Sequence, residues 1–265
     1  MDTATTEVSL AGKQLFEAYA ARKPLRFAAS PESLAQGYDI QDAFVAHRAG
    51  GAGFAGFKIA WTTPLMQQRV GTDGPGSGRL MAAERYLSPA TVAAASYEAL
   101  AIECEVAVTM GEAVAADATR EEIFAAVETL QLAFELVDPR PFDRKSSLAG
   151  GVAAGVAESI AANIHGAGVV LGEPRKDWRD LDVASAVCEL RIDGELAGTG
   201  CGADVLGHPV APLAWLVPHL AALGQPLAAG DVVITGAMIA PTRIASGQRA
   251  VATMDGFAAI ELNVQ

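Results

Sequence analysis

Apolar residues alternate with glutamates in two segments of the chain, residues 101–108 and 130–137. Side chains of a β-strand point alternately to its two faces, so Glu103 and Glu105 share one face while their apolar neighbours share the other. Glu135 interrupts the second segment in the same way. A carboxylate on so apolar a strand is costly unless a positive group meets it. The pattern therefore predicts two strands whose glutamates either reach solvent from a one-sided sheet or converge on a cation.

Helix signals lie before, between and after these two strands. Amphipathic patterns predict one helix over residues 8–21 and a second over 40–49, the second ended by two glycines. Thr119 and Glu122 form a capping box for a helix that leads into the second glutamate strand. A proline opens a further helix, which is predicted over residues 213–223.

Two Asp-Gly pairs, Asp193-Gly194 and Asp255-Gly256, predict β-hairpins. The flanking strands are predicted at residues 187–192, 195–198, 251–254 and 258–264. The sequence shows no internal repeat and no linker that divides it. We therefore predict a single mixed, β-rich α+β domain over residues 1–265, with a helical portion at 1–50 and the β-rich core at 51–265.

Composition favours a globular protein with a large core. The chain has 265 residues, of which 51% are hydrophobic and 19% charged, and its formal net charge is −12. This charge argues against nucleic acid or an anionic membrane as partner. The first residues lack the basic and apolar segments of a signal peptide, and the three cysteines are odd in number, which favours reduced thiols. We expect a cytoplasmic protein.

The candidate chemistry begins with the oxygen atoms of the three glutamates. Carboxylate oxygens are hard ligands, so Glu103, Glu105 and Glu135 favour Mg²⁺, Mn²⁺ or Ca²⁺ over Zn²⁺. Lys58 lies within an apolar segment, residues 56–60. Its ammonium group can balance the carboxylates, act as an acid or base, or extend along the surface into water.

Seven short segments of the chain carry a resemblance to a known family through their order and spacing. They are residues 56–60, 67–75, 102–107, 134–140, 205–209, 214–216 and 229–236. In this order they resemble the fumarylacetoacetate hydrolase superfamily, and more narrowly its 2-oxopent-4-enoate hydratase and 4-oxalocrotonate decarboxylase branch. The resemblance runs from about Tyr38 to the C-terminus. It implies a fumarylacetoacetase C-terminal-like β-roll, with the catalytic residues in the β-rich core.

The resemblance also implies a function. The expected protein is a lyase that uses Mg²⁺ or Mn²⁺ and acts on a 2-oxo acid or its enol, most nearly a 2-keto-4-pentenoate hydratase of aromatic catabolism. The alternatives are a 2-oxo acid decarboxylase, a hydrolase that cleaves a 1,3-dicarbonyl C–C bond, and a non-catalytic subunit that binds metal and ligand. A homo-oligomer is expected, as is association with a related enzyme of the same pathway.

Further candidate site residues are predicted from the sequence and from this resemblance together. Lys58 is expected to be catalytic, and Asn163 to contact the substrate. Arg140 either orients a substrate carboxylate or pairs with Asp138. His165 is predicted to enter the cavity and transfer protons, and its alternative is a surface turn.

The chain departs from the family pattern near these residues. Gly76 and Ala162 replace aspartates, Ala101 replaces a basic residue, and His165 replaces a serine. A glycine-rich loop at 71–78 is predicted to be mobile at the mouth of the site. Residues 149–155 are predicted to pack tightly or to form a second mobile loop.

Overall fold

The N-terminal part of the molecule is a pair of helices. The computed structural model describes residues 3–27, 30–143 and 151–265. Helix α1 (Thr3–Ala20) packs against helix α2 (Leu34–Ala49). Helix α2 begins six residues before the predicted start because the Ser33 side chain caps it by accepting the N–H of Gln36. It ends, as predicted, at Gly50 in the left-handed conformation.

The rest of the described chain is built around two mixed sheets of seven and five strands. The strands are β1 (Phe54–Ala60), β2 (Gly76–Met81), β3 (Arg85–Leu87), β4 (Ala90–Val92), β5 (Ala101–Met110), β6 (Val127–Val137), β7 (Gly166–Leu171), β8 (Val187–Ile192), β9 (Glu195–Cys201), β10 (Val232–Arg243), β11 (Arg249–Met254) and β12 (Ile260–Val264). The larger sheet has the order β2-β1-β10-β5-β6-β7-β3, and the smaller has the order β4-β12-β11-β8-β9.

Four shorter α-helices connect the strands within the described ranges: α3 (Pro64–Val70), α4 (Arg120–Ala126), α5 (Gly151–Ala161) and α6 (Leu213–Ala222). The predicted capping box of α4 is confirmed, with Thr119 and Glu122 bonding to each other's backbone. The predicted pairing of β8 with β9 is also confirmed, and both turn residues, Asp193 and Gly194, have positive φ as a tight hairpin turn requires. Strand β12 pairs with β11 as predicted but begins at Ile260 rather than at residue 258.

The apolar face of β5 and β6 lies in the core between the two sheets. Ile102, Cys104, Phe134 and Leu136 have no exposed surface there. The opposite face of the same strands carries the glutamates. This second face is also largely covered, so the glutamates lie beside the buried residues Ala107 and Ala133 and the buried polar residues Thr129 and Gln131.

The prediction of a loop through residue 78 is wrong from Gly76 onward. Helix α3 ends at Gly71, and strand β2 begins at Gly76 and pairs with β1. The glycines of β2 leave room for side chains from other elements to pack directly on the strand backbone. This packing covers β2, although the segment is rich in glycine. The prediction for residues 149–155 falls partly outside the described residues, and from Gly151 the backbone is helical.

Gly56 is required where β1 meets β10. Its φ is 144°, and a Cβ at this position would collide with the carbonyl oxygen of Val232. We expect Gly56→Ala to lower the free energy of unfolding by about 3 kcal/mol or more, since it adds a backbone collision to the cost of the unusual φ. Gly53→Ala is the matched control because Gly53 also has positive φ but no neighbour within 4 Å. It should cost only about 1–2 kcal/mol. Equal losses in urea denaturation would contradict this explanation.

Candidate active site

Three glutamates converge on one face of the larger sheet. Strands β5 and β6 are antiparallel, and their register places Glu103 directly opposite Glu135. Glu105 lies two residues further along β5 and therefore on the same face. Each residue offers an oxygen atom that lies within 4.8 Å of the other two. Glu105 and Glu135 are buried, while Glu103 is half-buried.

A bulge in the neighbouring strand β10 determines how Glu105 is bonded. The register between β10 and β5 shifts at this point, and Gly236 has a φ of 121°. The N–H of Gly236 donates to Oε2 of Glu105 at 2.7 Å. The other oxygen, Oε1, is buried and has no hydrogen-bond partner among the described residues. A buried carboxylate oxygen without a partner is costly, and a bound cation would remove this cost. Oε1 of Glu105 is therefore a candidate metal ligand.

The three carboxyl groups perturb one another. Burial, followed by the charges of Glu135 and Glu103, raises the pKa of Glu105 well above its usual range. Burial and the charge of Glu135 raise the pKa of Glu103 to about 7, although Lys58 opposes the shift. Like charges in a poorly solvated place repel strongly, and a divalent cation bound by their oxygens removes this repulsion. The residues therefore fit a hard divalent cation such as Mg²⁺ or Mn²⁺.

Lys58 reaches the glutamates from β1. Its side chain is buried, forms an ion pair with Glu135, and donates to the carbonyl oxygen of Ile164 at 3.0 Å. Gly78 and Gly166 make room for the aliphatic part, since a Cβ at either would lie 3.0–3.1 Å from its methylene groups. The alternative of a surface lysine extending into water is therefore excluded by the geometry.

Asn163, Ile164 and His165 form a turn in which all three residues have positive φ, at 56°, 46° and 57°. This conformation is unfavourable for every residue other than glycine, and most of all for a β-branched residue such as Ile164. The Asn163 side chain fixes the turn to β2. Its Oδ1 accepts the N–H of Arg79 at 2.7 Å, and its Nδ2 donates to the Arg79 carbonyl at 3.0 Å. Asn163 thus positions the turn, and its contact with a substrate stays a prediction.

His165 is half-buried at the end of this turn and lies 5.6 Å from the ring of Phe142. Burial, and next the charge of Lys58, lower the pKa of His165 to about 4, although Asp138 opposes the shift. The imidazole is therefore neutral at pH 7. This geometry brings His165 near Lys58, but it makes the group a much weaker base than an unperturbed histidine.

Arg140 adopts the second of its two predicted arrangements. Its Nε donates to Asp138 at 2.8 Å, one of its terminal nitrogens donates to the carbonyl oxygen of Tyr19, and its guanidinium lies 4.3 Å from the Tyr19 ring centre. The other oxygen of Asp138 accepts the N–H groups of Glu98 and Ala99. These bonds tie helix α1 to the end of β6. Substrate contact by Arg140 stays a prediction.

Thr62 and Gly236 lie beside the glutamates, and neither was predicted from the sequence as a site residue. Thr62 is buried, and its hydroxyl lies 2.7 Å from the position that a Cβ of Gly236 would occupy. An isolated glycine inside an apolar strand often marks a bulge, and this signal at Gly236 could have indicated the contact. The hydroxyl of Thr62 follows only from the tertiary structure.

Similarity to known proteins identifies the family to which this chain belongs. The chain belongs to the family described as fumarylacetoacetate (FAA) hydrolase C-terminal, whose model matches residues 27–265. It is similar to a 2-keto-4-pentenoate hydratase of Burkholderia vietnamiensis (strain G4 / LMG 22486), with 30% identity over 80% of this chain and 79% of the relative. It is also similar to a 2-hydroxyhexa-2,4-dienoate hydratase of Comamonas testosteroni, with 30% identity over 79% of this chain and 77% of the relative.

Solved structures confirm the predicted fold. The 4-oxalocrotonate decarboxylase from Pseudomonas putida G7, complexed with magnesium and adipate, has a TM-score of 0.86 and 19% identity, covering 98% of each chain. Fumarylpyruvate hydrolase from Pseudomonas aeruginosa, in complex with Mn²⁺ and pyruvate, has a TM-score of 0.60 and 14% identity, covering 78% of this chain and 88% of that one.

Removing one carboxylate charge should separate stability from metal binding. We expect Glu105→Gln to raise the Tm of metal-free protein, because it relieves like-charge repulsion and keeps an oxygen for the Gly236 N–H. Wild type should gain about 2.7 kcal/mol at Mg²⁺ concentrations near 100 times its Kd, or about 5 °C in Tm. Glu105→Gln should lose most of this gain. Glu128→Gln, an exposed position of the same strand as Glu135, should behave as wild type. An unchanged Mg²⁺ response in Glu105→Gln would contradict the site.

The lowered pKa of His165 predicts a contribution to the pH dependence of stability. The unfolded chain binds the proton more readily than the folded one, so this stability is present above about pH 6.5 and is lost as the pH falls toward about 4. We expect the wild type to lose about 1–2 kcal/mol more than His165→Gln between pH 7 and pH 5. Urea denaturation at both pH values measures this difference. Identical losses would show that the imidazole is not held neutral by its surroundings.

Proposed function

We propose that this chain is a divalent-metal-dependent lyase acting on a 2-oxo acid or its enol, of the 2-keto-4-pentenoate hydratase type. The observation that carries the proposal is the buried, unpartnered oxygen of Glu105, which lies in a cluster of three carboxylates beside the ammonium group of Lys58. The hydratases among its relatives, at about 30% identity over most of both chains, support this reaction type.

We assign Glu103, Glu105 and Glu135 to the binding of Mg²⁺ or Mn²⁺. When bound, the cation supplies a Lewis acid for the carboxylate and 2-oxygen of a 2-oxo acid. The glutamates themselves balance its charge and hold it against one face of the sheet. The Gly236 N–H orients Glu105 through Oε2, which leaves Oε1 directed into the cluster.

Lys58 is proposed as a second catalytic cation, which the protein supplies in addition to the bound metal ion. Its ammonium is already desolvated and held by Glu135 and the Ile164 carbonyl, so it needs little reorganisation to donate a hydrogen bond to a substrate oxygen. Negative charge that develops on the 2-oxygen as the enol forms would strengthen this bond. Such differential stabilisation lowers the barrier.

His165 is proposed to serve in proton transfer as a neutral imidazole, which can accept a proton at one ring nitrogen and donate one from the other. Its pKa of about 4 restricts this role to brief relay rather than storage of a proton. Asn163 and Arg140 are proposed to position the segments on either side of His165. Both side chains are oriented by bonds to the protein, and their remaining N–H groups are the donors that a substrate could use.

Decarboxylation is the second candidate reaction, and the structural likeness to 4-oxalocrotonate decarboxylase over 98% of both chains favours it. Water addition and loss of CO₂ both pass through an enol of a 2-oxo acid, so the same metal and lysine arrangement serves either. Mass spectrometry of the products distinguishes them. Cleavage of a 1,3-dicarbonyl C–C bond gives two smaller acids. Metal-dependent ligand binding without turnover would indicate a non-catalytic subunit.

Cellular context is part of the proposal. None of the described helices combines the length and apolarity needed to cross a bilayer. We propose a cytoplasmic enzyme that acts as a homo-oligomer and associates with a related pathway enzyme, which co-purification tests.

Loss of the Lys58 ammonium should reduce catalysis far more than metal binding. We expect Lys58→Ala to lower kcat/KM on an accepted 2-hydroxydienoate by about 10²-fold or more, the usual scale for a positioned acid or base. Lys13→Ala is the matched control because Lys13 is exposed and pairs with Glu17 on the surface. Mg²⁺ titration followed by Tm shows whether the variant still binds metal. Unaltered kinetics in Lys58→Ala would remove this residue from the mechanism.

A further inference from the structure

Arg48 reaches the candidate active site from the C-terminal end of helix α2. Its side chain is 3% exposed, and its Nη1 donates to the carbonyl oxygen of Gly166 at 2.6 Å. Gly166 packs against the site, since a Cβ there would lie 3.1 Å from Cδ of Lys58 and 3.3 Å from Oε1 of Glu135. One hydrogen bond and one packing contact therefore link Arg48 to the ion pair of Lys58.

The guanidinium of Arg48 is held in one orientation by two further partners. Its Nε and Nη2 donate to the two oxygens of Glu84 at 2.9 and 2.6 Å. Its central carbon lies 4.5 Å from the centre of the Tyr19 ring, over which it stacks. All three nitrogens are thus in hydrogen bonds, and a planar group fixed on this many sides has little freedom to move.

The turn that Arg48 contacts also holds the ammonium of Lys58. The carbonyl oxygen of Ile164 accepts the bond from Lys58 at 3.0 Å, and one residue separates this carbonyl from that of Gly166. The backbone of residues 163–165 has positive φ throughout, a conformation that persists only where the surroundings enforce it. Loss of the Arg48 bond would let the turn relax, and the carbonyl that holds Lys58 would move with it.

Cohesion alone is a poor explanation for a charged group at this position. Removing a guanidinium from water is costly, and apolar side chains of similar volume often hold two elements together as well or better. Apolar packing does not fix the direction of a carbonyl group, whereas a charge-assisted hydrogen bond does. The bond from Arg48 to Gly166 therefore indicates a requirement for position.

We propose that Arg48 is a positioning residue for Lys58. Through its bond to Gly166 it fixes the turn whose carbonyl at Ile164 holds the Lys58 ammonium. This inference rests on the proposed function, in which that ammonium donates a hydrogen bond to the substrate. It gives the helical portion, residues 1–50, a task in catalysis. A misplacement of about 1 Å in such a group can cost about 10²-fold in rate.

Steady-state kinetics tests the catalytic part of the inference. The assay contains saturating Mg²⁺ and whichever of 2-hydroxypenta-2,4-dienoate and 2-hydroxyhexa-2,4-dienoate wild type converts faster. We expect Arg48→Met, which keeps an apolar stem and removes the donors, to lower kcat by at least about tenfold. KM and the midpoint of the Mg²⁺ titration should change by less than about twofold, because Arg48 is assigned no contact with substrate or metal.

Chemical labelling tests the positional part without requiring turnover. The protein is treated with acetic anhydride in saturating Mg²⁺, and mass spectrometry quantifies the labelled peptide that contains Lys58. A buried ammonium reacts when local opening frees it from its partners, and a loosened turn makes such opening more frequent. We expect Lys58 to be labelled at least about threefold faster in Arg48→Met than in wild type.

Arg179→Met is the matched control because it also removes a guanidinium that binds backbone carbonyl groups. Arg179 donates to three carbonyl oxygens where helix α4 meets strand β6. Val127, the first residue of β6, lies roughly 26 Å along the strand from Glu135. We expect this variant to keep the wild-type kcat and the wild-type labelling of Lys58, with folding verified by circular dichroism at the assay temperature.

The possible outcomes separate the inference from the proposed function. Unchanged kcat or unchanged Lys58 labelling in folded Arg48→Met would overturn the inference alone, as would equal effects in Arg179→Met. Arg48→Lys keeps the charge without the planar fork, so it should show smaller changes of the same kind. It decides both measurements if Arg48→Met does not fold. Absence of Mg²⁺-dependent turnover by wild type would instead overturn the proposed function, and labelling would still decide whether Arg48 positions Lys58.

Discussion

The electrostatic repulsion among three carboxylates in a poorly solvated place governs the structure around the site. Two of them are buried on strands that are largely covered on both faces. Such a cluster is unfavourable by itself, and the raised pKa values of Glu103 and Glu105 express that cost. The ion pair between Lys58 and Glu135 relieves one charge only. A divalent cation bound by the three glutamates would supply the remaining compensation, so metal binding would also stabilise the fold at this point.

Backbone features around the cluster answer this constraint. A glycine bulge in β10 directs an N–H at Glu105, while glycines on β2 and β7 let the chain approach the aliphatic part of Lys58. The turn that contains Ile164 has left-handed backbone and offers Lys58 its carbonyl oxygen. The protein thus accepts strain next to the site in order to place donors and acceptors where the charges need them.

Sequence patterns within a few residues predicted the strands, hairpin and helix start that such short-range signals determine. Period-2 alternation placed Glu103 and Glu105 on one face, and the hairpin and capping signals identified β8, β9 and the start of α4. Contacts between distant segments were not predictable in this way. The bond from Arg140 to the Tyr19 carbonyl depends on where helix α1 docks, and the strand at Gly76 depends on Trp61, which covers it. No periodicity in either segment encodes these neighbours.

The central claim is that the three glutamates form one divalent-cation site beside Lys58. Anomalous scattering from crystals of the protein soaked in Mn²⁺ tests it most directly. We predict one strong peak with oxygen atoms of Glu103, Glu105 and Glu135 at about 2.0–2.4 Å, the usual range for hard cations of this kind. A saturating soak that leaves the cluster without a peak, or places Mn²⁺ elsewhere while the glutamates keep their present contacts, would contradict the claim.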